Sequence, residues 1–452
     1  MLSTSQLVDK YDIACPRYTS YPTVPYWQDN LQIEDWKKSI QQAYQQNKQK
    51  GISLYIHLPF CEQLCTYCGC NKRITLNHKV EKPYIESLLK EWRMYITLLG
   101  EKPRINEIHL GGGTPTFFSA AHLKYLITEL RKDAIPTDNC EMSLEVHPNY
   151  TTPAQLKALY EVGFRRLSVG IQDFDERVQF IINRPQTFAQ TQQIFSAARA
   201  IGYTSINADI IYGLPLQTVE SVQKTIQYVK QLAPERIAFY SYAHVPWKSP
   251  AQRRYTEKDL PNAAEKRQLY EIGKEALLTM GYEEIGLDHF ALPKDELLMA
   301  LKEERLHRNF MGYTTRASSL LIGLGASSIS DSGTAFAQNI KEVEAYQAAI
   351  ESGDFPLLRG HLLSEEDLQL RQYILAIMCT GKANWQHETH PRFVTITERL
   401  RPLAQDGLLT LQDKSLEVTP KGRLFLRNIA LQFDQHYWQK RQSEQPVFSK
   451  AV

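Results

Sequence analysis

Six times between residues 51 and 280 a short β-rich run is followed by an amphipathic stretch, at a spacing of roughly 25–35 residues. The runs are 53–59, 105–110, 141–146, 166–170, 205–213 and 236–243, and the helical stretches are 82–98, 121–131, 153–162, 187–201, 219–232 and 263–280. Strands separated by helices cannot pair as hairpins; they pair in parallel through right-handed crossovers. The runs read as mostly buried rather than strictly alternating, as in a parallel sheet covered by helices. Such a series closes into a barrel or stays an open sheet. A full eight-unit barrel takes about 250 residues. Six units here, with a candidate seventh strand at 282–289, fit an α/β fold of the partial (β/α)6 barrel type best.

The flanks differ. Residues 1–50 place Pro16, Pro22 and Pro25 among tyrosines before a Gln-rich helical stretch, which reads as an N-terminal arm packed on a barrel spanning 51–298. After about residue 300 the pattern turns helical, so 299–452 is expected to form a mostly helical C-terminal domain. Within it, 407–411, 416–419 and the turn at Pro420-Lys421-Gly422-Arg423 resemble a winged-helix module. A packing or substrate-covering role suits that module better than DNA reading, because 52 Lys+Arg against 50 Asp+Glu leave a net charge of only +2.

The same balance argues against nucleic acid as a partner. With 43% apolar and 23% charged residues, the 452-residue chain has the composition of a globular protein of roughly two or three domains. No apolar run approaches the roughly 18–20 residues of a membrane-spanning helix, so no membrane association is expected. The N-terminus carries neither a basic start nor an apolar core, which leads to the expectation of a cytoplasmic protein. Aromatic residues make up 10%, with 24 tyrosines, compatible with a large flat organic ligand.

Of seven cysteines, Cys61, Cys65, Cys68 and Cys70 fall within ten residues, directly after the first strand. An odd count packed this way is no disulfide framework; it reads as metal or redox chemistry. In Cys61-x-x-x-Cys65-x-x-Cys68, three thiolates can hold three corners of a [4Fe–4S] cluster and leave one iron for an exogenous ligand. Zinc is the rival, since thiolates suit it too, but no second Cys or His pair stands at a zinc-finger distance. A one-residue gap makes joint ligation of one metal by Cys68 and Cys70 awkward, and a simple free thiol is the plain alternative for Cys70.

Active sites of α/β barrels lie at the C-terminal ends of the strands, and every unit here places a polar or glycine-rich group there. After the cysteines come Gly111-Gly112-Gly113-Thr114-Pro115, Glu145-Val146-His147-Pro148, Gly170-Ile171-Gln172-Asp173, Asp209 with Gly213-Leu214-Pro215, and Tyr242-Ala243-His244. Glycines allow close approach of backbone to a ligand, or simply a tight turn. Glu145 suits an amine or ribose hydroxyls, Asp209 suits ribose hydroxyls, and Gln172 and Arg184 suit adenosine or carboxylate groups. Each in isolation is as readily a cap, an ion pair or a solvated side chain.

The cysteine motif at the head of a βα array resembles the radical S-adenosylmethionine (SAM) superfamily. That resemblance implies a [4Fe–4S] cluster on Cys61, Cys65 and Cys68 whose open iron is chelated by SAM, and a 5′-deoxyadenosyl radical released when the cluster is reduced. Further motifs are similar to the oxygen-independent coproporphyrinogen III oxidase family. They are Pro16-Arg17-Tyr18-Thr19-Ser20-Tyr21-Pro22, Cys68-Gly69-Cys70-Asn71-Lys72, Asp288-His289-Phe290-Ala291 and His307-Arg308-Asn309-Phe310-Met311-Gly312-Tyr313-Thr314-Thr315. The resemblance runs from Tyr11 to about Phe433.

It implies an enzyme that converts two propionates of coproporphyrinogen III to vinyl groups by hydrogen abstraction and loss of carbon dioxide, giving protoporphyrinogen IX. Two molecules of SAM are implied. The first would meet Tyr55, Gly112, Glu145 and Ile329; the second would meet Tyr67, Gly113, Thr114, Gln172, Arg184, Asp209 and Ala243. An electron donor for the cluster and a terminal electron acceptor are implied partners, and a monomer is the family expectation. Arg17, Tyr18, Tyr21 and Arg308 are candidate contacts for the substrate's carboxylates. One departure stands out: where the family commonly has Glu-Val-Asp-Pro, this chain has His147, a change that would make the site pH-sensitive. The rival readings are a haem-binding chaperone related to this family, which typically lacks the residue corresponding to Cys70, an RNA-modifying radical SAM enzyme, and a structural zinc protein.

Overall fold

The computed structural model describes residues 2–29, 31–440 and 448. The six expected strands are β1 (Ile52–Leu58), β2 (Arg104–Gly112), β3 (Ile135–Val146), β4 (Arg166–Gln172), β5 (Ser205–Tyr212) and β6 (Arg236–Ser241). They pair in parallel in chain order, as crossovers dictate. Several crossover helices begin with the same local device. Thr152, Thr187 and Thr218 precede Pro153–Glu161, Phe188–Ile201 and Val219–Leu232, and each hydroxyl accepts the amide three residues on in a capping box.

The sheet is larger than the six units. The run at 282–289 is two short strands, β7 (Glu283–Gly286) and β8 (His289–Ala291), and β8 pairs antiparallel with β6 rather than as a seventh parallel strand. On the opposite edge, β9 (Leu321–Leu324) pairs parallel with β1, followed antiparallel by β10 (Ile329–Asp331), β11 (Ala335–Asn339) and β12 (Leu357–Leu362). The expected domain boundary at 298/299 therefore falls within one twelve-stranded sheet. Strands of three to six residues leave little periodic signal, even with helix Val343–Ser352 between β11 and β12.

Beyond β12 the expected helical unit appears. Helices Glu365–Thr380 and Arg392–Gln405 pack beside a three-stranded antiparallel sheet of Lys382–Asn384, Leu409–Leu411 and Ser415–Val418, the last two forming the wing-like hairpin. The N-terminal arm is shared between the two units. Leu7, Val8, Cys15, Tyr18 and Tyr21 are buried with Leu370, Trp385 and Phe433 of the C-terminal unit, whereas Trp36, Ile40 and Tyr44 join the barrel core.

The barrel strands alternate more strictly than their composition suggests. Leu54, Ile56, Ile108, Leu144, Ile206 and Ile237 face the helices and form the core. Their neighbours His109, Ser143, Glu145, Ser168, Asn207, Asp209 and Arg236 line a polar chamber of about 140 Å³ inside the barrel. Both faces are buried, so a polar inner row reads along the sequence as an interruption rather than as a solvent face.

Candidate active site

Above that chamber, at the C-terminal rim, opens a cavity of about 300 Å³ lined by Cys61, Cys65, Cys68, Gly112, Glu145 and Asp209 among others. The cysteine loop is folded onto β1. His57 Nε2 lies 2.9 Å from the Asn71 carbonyl, Arg73 N donates to Pro59 O at 2.8 Å, and Lys72 Nζ donates to Cys68 O at 3.0 Å. The sulfurs have polar company: Cys61 Sγ is 3.3 Å from Thr114 Oγ1, and Arg184 Nη1 reaches Cys65 Sγ at 3.5 Å.

The donor set fits an iron–sulfur cluster. Three thiols on one cavity wall, with a buried guanidinium beside them, suit an assembly that is anionic and sulfur-rich. Arg184 Nε is buried without a partner. A hydrogen bond from Cys70, with Lys72 and Arg184 nearby, pulls the Cys68 thiol down to about 6 against the effect of burial. Burial pushes Cys61 up to about 11. Cys70 lines the same cavity.

Two carboxylates face the same cavity with opposite tendencies. Burial alone would raise Glu145, but His109, with Nε2 3.5 Å from Oε1, and the Gly112 amide at 3.2 Å hold it below the usual carboxylate range. Asp209 is pushed up to about 6 by burial, against hydrogen bonds from Ser168 at 2.8 Å and Asn207 at 2.7 Å. At neutral pH Glu145 is firmly ionised and Asp209 is close to its titration. Gln172 ends β4 at a register shift and sits at φ 67°, a left-handed conformation that costs a non-glycine residue of order 1–3 kcal/mol and is typical of functional positions.

The expected SAM-site residues are only partly gathered. Tyr67, Gly112, Gly113, Thr114, Glu145, Gln172, Arg184 and Asp209 line the cavity with the three cysteines. Tyr55 lies just below, its hydroxyl 3.0 Å from His57 Nδ1 and its ring stacked on His109. Ile329 lies on β10, where its backbone abuts Gly323, the residue across from Tyr55. The carbonyls of Ala243 and Tyr67 are tied by one side chain, Gln252, whose Nε2 is 3.2 and 3.1 Å from them. The glycines have a scaffold role of their own: a Cβ on Gly112, at φ 112°, would come within 2.6 Å of the His57 ring, and one on Gly113 within 2.7 Å of the Pro59 backbone.

The four substrate candidates separate. Tyr18 and Tyr21 are buried in the C-terminal core and do not face the cavity; Tyr18 donates to Asp434 Oδ2 at 3.1 Å, and Tyr21 Oη accepts from Gln435 N at 3.2 Å. The arm's apolar packing decided their direction. Arg17 remains beside the rim, donating to Ser241 O at 2.9 Å and facing Asp288 at 3.5 Å. Arg308 is buried over the Tyr313 ring at 4.6 Å, and its Nε and Nη1 lack partners.

His147 does not bring the pH sensitivity its ordinary chemistry suggests. Burial, with Arg184 nearby, keeps its pKa well below the imidazole range, and its Nδ1 accepts from Asn149 N at 3.2 Å, so it stays neutral. Several contributing residues escape a reading of motifs: His57, His109, Ser168, Asn207 and Gln252. For the four on strands, the available signal was a polar residue recurring at every second position of an otherwise apolar run.

Comparison with known proteins agrees with this architecture. Residues 55–229 match the radical SAM superfamily, and residues 363–425 match the HemN C-terminal domain. Oxygen-independent coproporphyrinogen III oxidase of Salmonella typhimurium is 38% identical over 99% of this chain and 98% of its own length. The Escherichia coli K12 protein of the same name is 37% identical over the same shares. The solved structure of coproporphyrinogen III oxidase (HemN) from Escherichia coli, described as a radical SAM enzyme, superposes with a TM-score of 0.88 at 37% identity, covering 93% of this chain and 97% of that one. Among the described residues no helix is long and apolar enough to cross a membrane.

Proposed function

The chain belongs to the oxygen-independent coproporphyrinogen III oxidases, radical SAM oxidoreductases of haem biosynthesis that oxidatively decarboxylate coproporphyrinogen, and we propose that its rim cavity houses this reaction. The observation that carries the proposal is convergence: Cys61, Cys65, Cys68, Glu145, Gln172, Arg184 and Asp209, drawn from four βα units, meet in one cavity.

In this reading Cys61, Cys65 and Cys68 hold the cluster, and two molecules of SAM occupy the space beside it. Tyr55, Gly112, Glu145 and Ile329 serve one, and Tyr67, Gly113, Thr114, Gln172, Arg184, Asp209 and Ala243 serve the other. When bound, the cluster and SAM supply the radical hydrogen abstraction from a propionate side chain; the chain supplies position and environment. Ionised Glu145 accepts hydrogen bonds from an ammonium or hydroxyl group. Asp209 accepts from ribose hydroxyls once deprotonated. Arg184 donates toward Cys65 on one side and toward a carboxylate on the other. The unpartnered Nε and Nη1 of Arg308 are donors for a substrate carboxylate, with Arg17 as a second cation at the rim.

The test is anaerobic turnover by the iron-reconstituted protein with SAM, a reductant, coproporphyrinogen III and a cell extract as acceptor source. Stepwise loss of two carboxyl groups, with methionine and 5′-deoxyadenosine appearing, is the expected result. SAM cleavage without porphyrinogen decarboxylation, together with tight stoichiometric haem binding, would overturn it.

A further inference from the structure

A second cavity lies on the opposite side of the barrel wall from the rim site. On β5 and β6, Ile211 and Tyr240 line the rim cavity, whereas the next residues, Tyr212 and Ser241, line this one. Successive strand residues point to opposite faces, so the sheet itself separates the two spaces. The second cavity measures about 50 Å³, room for a few waters or one small ion and far too little for a tetrapyrrole.

Cations from three parts of the chain converge on it. Arg17 comes from the N-terminal arm, Lys266 and Arg267 from helix Ala263–Thr279, and Arg423 and Arg427 from the C-terminal unit; Asp288 is the one carboxylate among the lining residues. The carboxylates nearby do not balance them. Asp288 faces Arg17 at 3.5 Å, Glu271 pairs with Arg267, and Glu284 is engaged by Lys274 at 2.6 Å. Asp12 favours the charged form of Lys266, but burial and Arg17 outweigh it and lower that lysine to about 8, with Arg427 acting the same way. Five lining cations against Asp288, Glu271 and Asp12 leave two positive charges over.

Donors are also left over. Lys266 Nζ donates to Tyr242 O at 3.1 Å and has no ion pair among the described residues. Arg267 Nε is buried without a partner. The exposed Arg423 side chain makes no hydrogen bond or ion pair among the described residues. A Cβ on Gly213, at φ 81°, would come within 2.8 Å of Lys266 Cε, so glycine there lets the lysine stem reach the cavity. Arg427 ties the arm to the same place, its Nε donating to Pro16 O at 3.0 Å.

We propose that this cavity binds a free multivalent oxyanion of the size of inorganic phosphate, and that the bound anion clamps the arm and the C-terminal unit to the barrel. Lys266, Arg267 and Arg423 are its donors, beside the fixed charge of Arg427. Charge-assisted hydrogen bonds to guanidinium and ammonium groups are the strong ones, and an anion shared by three segments offsets the repulsion between their cations. A carboxylate of a substrate held in the rim cavity is the other source of such an anion, and the intervening strands argue against it.

The experiment uses the full-length protein and inorganic phosphate, titrated calorimetrically at an ionic strength held constant with chloride. Amide hydrogen exchange is followed alongside, with and without phosphate. The parent is expected to bind phosphate saturably at one site, with slower exchange in residues 12–18 and 423–430. Lys266→Met and, separately, Arg423→Gln are expected to weaken binding at least tenfold and to lose that protection. Because Arg423 is exposed, its variant decides the question should Lys266→Met fail to fold. No saturable binding by the parent, or variants that bind as the parent does, would overturn the site. Displacement of bound phosphate by coproporphyrinogen III would overturn the free oxyanion as occupant and give the cavity to a substrate carboxylate. Phosphate binding that leaves exchange in both segments unchanged would overturn the clamp.

Discussion

Arg184 and Cys65 are 119 residues apart in the chain and meet at 3.5 Å, guanidinium to sulfur, at the wall of the rim cavity. The contact joins the first βα unit to the fourth and places a buried cation beside the Cys65 sulfur. Removing such a supporting group typically costs about 10–100-fold in metal affinity or activity. Arg184→Leu is therefore expected to retain less iron and sulfide per chain after reconstitution and to cleave SAM about 10–100-fold more slowly. Arg184→Lys, which keeps the charge without the planar fork, is expected to recover part of both. Iron and sulfide analysis with a cleavage assay checks this.

Gly112 bears two constraints at once, a φ of 112° and the His57 ring in the place a Cβ would fill. Its amide also donates to Glu145. Gly112→Ala is expected to lower stability by about 1–3 kcal/mol through overpacking and strain. It is also expected to raise the KM for SAM by displacing Glu145. Thermal unfolding and SAM saturation curves provide the check.

The two rim carboxylates predict a pH response. Asp209, raised to about 6, binds its proton more tightly in the folded chain than in the unfolded one. Folding is therefore favoured by this group at low pH, and that contribution is lost as pH rises from the usual value of 3.8 through about 6. Ligand binding follows the opposite course, because only the ionised carboxylate accepts a hydroxyl. SAM affinity is expected to fall as pH drops below about 6, and Asp209→Asn is expected to flatten that dependence while weakening binding at pH 7.5. Calorimetric titration between pH 5 and 8 checks both.

Tyr18 and Arg308, equal candidates as substrate contacts in the sequence, are expected to behave differently. Tyr18→Phe removes a buried hydrogen bond to Asp434 and is expected to cost about 1–3 kcal/mol of stability, with the KM for coproporphyrinogen unchanged. Arg308→Leu removes two buried, unpartnered donors and is expected to raise that KM at least tenfold, by about 1.4 kcal/mol or more. Steady-state kinetics beside thermal unfolding separates the two roles.

Asp367 ties the barrel to the C-terminal unit. It accepts from His361 on β12 at 3.0 Å, from His436 at 2.7 Å and from the Ser364 cap at 2.9 Å. Burial opposes ionisation, but these partners hold its pKa far below the usual value of 3.8. Its stabilisation is full above that value and is lost as pH falls below it. Asp367→Asn is expected to cost about 2–4 kcal/mol at pH 7 and to reduce the difference in stability between pH 6 and pH 3. Denaturant unfolding at those pH values checks it.

The sequence by itself determined what depends on local pattern. Alternating strand and helix periods specify the parallel barrel, and the spacing of Cys61, Cys65 and Cys68 after the first strand gathers three cysteines at one cavity, because the strand–loop–helix unit carries its own hydrophobic faces and caps. Placement at the strand ends marked Glu145, Gln172 and Asp209 as cavity residues for the same reason. Only the tertiary structure decided matters that depend on what comes near in space. Short strands beyond residue 299 extend the sheet from β1 because backbone pairing, rather than side-chain period, recruits them. Tyr18 and Tyr21 turn into the C-terminal core because burying aromatic surface outweighs leaving two hydroxyls at the rim. His147 stays neutral because burial and the nearby Arg184 both disfavour its charge, and charge in a protein interior answers to the surroundings more than to the residue type.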